Sequence, residues 1–162
     1  MSSVLAFDAV GINVTVSMWG VAAAFGVTAG GALSDKFGAN RVARASLLAL
    51  ALSFWALSLA ALVLSADRAL LPVMIAIAVW GFSIWAFFPA QMSRLMAAGN
   101  PSQASLSLAL NTSTMYLGFS IGSAIGAAIL SSGAVWGIGL FAGVCEMVAL
   151  ALNRRAAQKS RA

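Results

Sequence analysis

The sequence predicts an all-α fold, a polytopic transmembrane bundle of about five spanning helices. Two observations carry that prediction. Of 162 residues, 62% are hydrophobic and only 8% are charged, with a mean hydropathy of +0.98. Soluble domains carry about 25% charged residues, and one this apolar would expose large greasy patches. The second observation is where the few charges fall. Asp8 to Asp35, Arg44 to Asp67 and Arg68 to Arg94 bound uncharged stretches, each long enough for one pass of ~20 residues. Arg94 to Glu146 bounds a stretch long enough for two passes. The runs are continuous and rich in Ala and Leu, whereas a membrane β-barrel would show alternating segments of ~10 residues. A net charge of +5 invites a nucleic-acid reading, but the cations lie between apolar runs as membrane flanks do, so no nucleic-acid partner is expected.

The elements follow in order. Residues 1–11 form an extracytoplasmic pre-helix segment, with Asp8 solvated and no basic leader or cleavage signal. The bundle occupies residues 12–152, with helices expected at 12–33, 43–64, 70–90, 104–130 and 134–152. The fourth follows Gly99-Asn100-Pro101-Ser102, a loop signal that leads into a helix start. Ser131-Ser132-Gly133 turns the chain into the fifth. Residues 153–162 form a basic cytoplasmic tail containing Arg154, Arg155, Lys159 and Arg161.

Orientation follows from Lys and Arg in short loops. The 34–42 region and its flank carry Lys36, Arg41 and Arg44, the next loop carries Arg68 beside Asp67, and the loop after the third helix carries Arg94. The Ser131–Gly133 turn carries none. This rich–poor alternation places the first and third loops and the C-terminus in the cytoplasm, and the N-terminus outside.

Small residues recur at helical spacing: Ala22, Gly26 and Gly30 on the first helix, Gly118, Gly122 and Gly126 on the fourth, Gly139 and Gly143 on the fifth. Such stripes let helix backbones approach closely in lipid. Cys145 reads as a small core residue. With one cysteine and no histidine, neither a disulfide framework nor a zinc site is expected. The sequence offers no phosphate-cradling loop and no nucleophile–base pair, so neither an enzyme nor a cofactor is expected.

The most specific local sequence is Gly31-Ala32-Leu33-Ser34-Asp35-Lys36-Phe37-Gly38-Ala39-Asn40-Arg41. Its chemistry is intelligible alone. Gly31 permits close packing at a helix end, and Gly38 a turn at positive φ. Asp35 can accept charge-assisted hydrogen bonds, and Lys36 and Arg41 hold the loop at an anionic membrane face. The pattern G-x-L-x-D-K-x-G-x-x-R resembles the signature cytoplasmic loop of the major facilitator superfamily of secondary transporters. The stretch from Ser105 to Asn111, then Leu117 to Gly126, resembles the eleventh helix of its drug- and sugar-efflux branch. Trp80-Gly81-Phe82 followed by Pro89 resembles the tenth. The resemblance runs from about Phe7 to Leu152 and aligns best with helices eight through twelve, so the fold expected is a partial C-terminal half. It implies efflux or antiport of a drug- or sugar-like small molecule, and a partner in the form of an N-terminal half or an oligomer.

The same resemblance implies site roles. Gly31, Asp35, Lys36, Gly38 and Arg41 form the gate loop, and Arg94 is expected to pair with Asp35 as its latch. Trp80 and Ser83, with Asn111 and Thr114, are expected to line a central cavity. The small faces of the first and fourth helices would meet the other half. Within the fifth span, Glu146 lies roughly 9 Å from the end of its helix, shallow enough for partial hydration. It reads either as a proton-titrating or cation-binding carboxylate or as an interfacial acid paired with Arg154, Arg155 or another helix's polar group. The expected setting is a bacterial inner membrane. The alternatives are a small non-transporting membrane scaffold or an inactive gene fragment.

Overall fold

The structure, a computed structural model, describes residues 9–98 and 101–159. Asp8, the Gly99-Asn100 loop signal and Arg161 lie outside the described residues. The chain forms α1 (Ala9–Phe37), α2 (Ala39–Val63), α3 (Ala66–Ala98), a 3-10 turn (Pro101–Gln103), α4 (Ala104–Ser131) and α5 (Val135–Lys159). Among the described residues there is no strand, and five helices are long and apolar enough to cross a membrane. The chain is an all-α bundle of an integral membrane protein.

Most helices run past their expected ends. α1 continues through Ser34–Phe37 and α2 starts at Ala39, so the expected loop shrinks to Gly38. α3 takes in 66–69 and 91–98, and α5 runs to Lys159. Charge marks where a helix leaves an apolar slab, whereas the helix ends only where its backbone hydrogen bonds stop. The Gly38 amide still bonds the Ser34 carbonyl at 2.9 Å. Gly38 then takes φ +88°, a region costly for any residue with a Cβ, and its carbonyl receives the Arg41 and Val42 amides. The second sharp turn, at Gly133, has φ +79°.

α3 lies at the centre, packed along α1 and α2, while α2 also packs along α5. The core is built from small residues. Ala43, Ala51, Ala69 and Ala90 are fully buried, and Leu50 is the largest side chain so enclosed. With no water to expel, helices in lipid gain from close van der Waals approach, which small residues permit. Val42, Ala43 and Ala90 close one end of the bundle; Ala60, Ala69 and Val73 close the other. α2 also buries Ser46, Ser53 and Ser58. The Ser53 hydroxyl donates to the Leu50 carbonyl at 2.8 Å, and that of Ser58 donates across to the Trp136 carbonyl of α5.

α4 is different. It touches α3 and α5 only lightly, and none of its residues is buried. Leu106, Leu110, Tyr116, Leu117, Phe119 and Ile121 are all exposed.

Candidate functional site: an aromatic cleft and a one-residue turn

The sharpest local packing is between α1 and α3. A Cβ on Gly26 would collide with the Phe82 backbone, and one on Gly30 with that of Ala86. Trp19, Ala23, Gly26 and Gly30 are spaced four, three and four, which puts them on one helix face. The face is accordingly marked by Ala23, which is buried, more than by Ala22. Gly31 corrects the expectation of close packing at the helix end. Nothing lies within 4 Å of a Cβ built there, so Gly30 makes the close approach. Gly139 meets the Phe54 carbonyl and Ser58, and Gly143 meets the Trp55 ring.

Above Gly81, which is covered by Trp19, three rings join three helices. Trp19 of α1 and Trp80 of α3 have centroids 5.9 Å apart, and Phe54 of α2 lies 5.6 Å from Trp80. Both pairs are tilted, the arrangement that ring quadrupoles favour. This trio forms the floor of a cleft of about 690 Å³ roofed by α4. α5 contributes Phe141, Cys145 and Glu146, and α4 contributes Gly118, Gly122 and Gly126. Glu146, half-buried, is thus a lone carboxylate among aromatic walls, and forms no ion pair with the exposed Arg154 or Arg155. Cys145, expected in the core, is exposed instead, because α4 stands off from the face of α5 that carries it.

The four residues expected to share a cavity do not come together. Trp80 lines the aromatic cleft. Ser83 is buried and turned toward a separate groove between α1, α2 and α3. Asn111 lines a third hollow with Trp85, Phe88 and Tyr116. Thr114 is exposed, its hydroxyl bonded back to the Leu110 carbonyl at 2.8 Å. The reason is α4, whose light contact with α3 leaves no shared wall between their polar residues. The stripe on α4 is affected likewise: nothing lies within 4 Å of a Cβ on Gly118, Gly122 or Gly126.

The gate-loop residues cluster at the Gly38 turn. Asp35 and Lys36 are exposed, and Arg41 borders the groove that Ser83 faces. The expected Asp35–Arg94 latch is not formed. Arg94 instead donates to the Gln91 amide oxygen at 3.0 Å and to that of Asn153 on α5 at 3.1 Å. Asp35, two residues before the end of α1, is exposed, while Arg94 reaches to Asn153 of α5. Trp19, Phe54 and Asn153 were not singled out from sequence. Trp19 had a signal, its register with Gly26 and Gly30, whereas Asn153 sits in a basic tail whose contacts depend on tertiary packing.

Among the described residues no group of His, Cys, Asp and Glu is placed to hold a metal ion. No protein-family model matches the chain, and no solved structure matches it.

Proposed function

We propose that the chain is part of an efflux-type secondary transporter of the major facilitator kind, supplying the portion that resembles helices eight through twelve. The observation that carries the proposal is the sequence G-x-L-x-D-K-x-G-x-x-R at the one-residue turn between two spanning helices, with its second glycine at positive φ. Transport by this mechanism needs two bundles rocking about a midplane site. The loosely held α4, with an open glycine stripe, is consistent with a face that a further bundle covers. The aromatic cleft with Glu146 at its edge would take a small amphipathic solute, since such sites pair apolar walls with a few placed polar groups. On this reading the Gly38 turn, the end of α3 and the tail lie in the cytoplasm of a bacterial inner membrane.

The test is transport in everted membrane vesicles from cells expressing the native locus. Energised vesicles are expected to move a lipophilic dye or a labelled sugar, and Gly38→Val is expected to abolish movement while leaving insertion intact. A correctly inserted protein that moves none of these solutes would reject transport in favour of a scaffold.

A further inference from the structure

The end of the bundle that carries the Gly38 turn also carries most of the positive charge. Arg44 of α2 follows the buried Ala43, and Arg94 of α3 lies one turn beyond Ala90, which packs against Ala43. The contact between Ala43 and Ala90 brings both arginines to the same end of the α2–α3 interface. Both residues are half-buried, and the Arg44 Nε is fully enclosed with no hydrogen-bond partner. Arg94 meets only neutral acceptors, Gln91 and Asn153. Among the described residues no carboxylate pairs with either arginine. Asp35 points to solvent, and Glu146 opens into the aromatic cleft about 10 Å back along α5 at 1.5 Å per residue.

Two part-buried cations, one of them with an unpartnered donor, are costly without a counter-charge unless an anion joins them. A guanidinium presents five N–H donors in a planar fork that matches phosphate oxygens. We propose that Arg44 and Arg94, together with the Asn153 side-chain amide, form a binding site for a phosphate-bearing anion at the junction of α2, α3 and α5. The Asn153 oxygen accepts from Arg94, which leaves the amide nitrogen as the donor this side chain would offer the anion. The anion has two sources, the headgroup of an anionic lipid in the adjoining leaflet or free phosphate, and both present anionic non-bridging phosphate oxygens.

The test uses the purified protein in neutral detergent, titrated with phosphatidylglycerol, phosphatidylcholine or inorganic phosphate and read by native mass spectrometry. Saturable binding of phosphatidylglycerol over phosphatidylcholine is expected, about tenfold weaker in Arg44→Gln and in Arg94→Gln, the loss expected for a charge-assisted hydrogen bond. Arg155→Gln, which removes the same charge from the exposed tail, is expected to leave binding unchanged. Arg94→Lys keeps the charge and loses the fork, so a several-fold loss in this milder variant supports the site even where a Gln variant folds poorly. Displacement of the lipid by millimolar phosphate assigns the site to the free ion, and resistance to it assigns the lipid. Equal weakening in Arg155→Gln, or no saturable binding of either anion, overturns the proposal.

Discussion

Replacing Gly30 by alanine should separate α1 from α3, whereas the same change one residue later should not. A Cβ at Gly30 would lie 2.6 Å from the Ala86 Cα, and the obstacle is backbone that no side-chain rotation can relieve. Carbon atoms pack best at about 3.5–4.0 Å, so the helices must part by about 1 Å. Overpacking of this kind costs about 1–3 kcal/mol, and a gap of 0.5–1 Å forfeits about a quarter to a half of each neighbouring contact. The Gly26–Phe82 contact on the same face would open too. Gly30→Ala should therefore lose about 2–3 kcal/mol. At Gly31 a Cβ meets nothing within 4 Å, and alanine is the better helix former, so Gly31→Ala should be neutral or slightly stabilising. Reversible unfolding in mixed micelles, titrated with sodium dodecyl sulfate and followed by tryptophan fluorescence, measures both. Equal loss in the two variants, or none at Gly30, would refute the proposed α1–α3 contact.

The other interfaces make separate predictions in the same assay. Ser58→Ala removes the hydroxyl bond to the Trp136 carbonyl and should cost about 0.6–1.7 kcal/mol, the range for polar contacts between membrane helices. Trp80→Ala takes away the ring that joins Trp19 and Phe54; because Trp80 is only half-buried, the loss should fall near 2–3 kcal/mol, the low side of large aromatic deletions. Gly38→Ala forces a Cβ into φ +88° and should cost about 1–2 kcal/mol although nothing crowds the position. Gly122→Ala, on the open face of α4, should leave stability of this chain unchanged; a loss there would mean that α4 packs more closely than its open stripe indicates.

The five helices were legible because charge is excluded from apolar runs, and that exclusion is strong enough to survive without any other signal. Their ends were less legible. Asp35, Lys36 and Arg41 mark the membrane boundary, yet hydrogen bonding carries α1 to Phe37 and restarts the helix at Ala39. The turn residue itself could be read, since Gly38 stands where only positive φ connects two helices so closely. Helical spacing showed that Gly26 and Gly30 share a face. Spacing cannot say whether a neighbour covers that face, and the α4 stripe of identical spacing has none. The expected cavity failed for the same reason. Ser83 and Trp80 lie three residues apart, yet one turns to α1 and α2 and the other to the cleft beneath α4. Arg94 was identified as a charge in need of a partner, but Asn153 became that partner only through the packing of α5 on α2.

The topology on which the proposed function rests can be tested by labelling single cysteines from each side of the membrane, in a Cys145→Ser background. Cysteines at Asp35 and Arg155 should react with an impermeant maleimide only from the cytoplasmic side, and those at Ser65 and Ser132 only from the opposite side. Labelling of positions 35 and 132 from the same side would contradict five spans and, with them, the gate-loop reading.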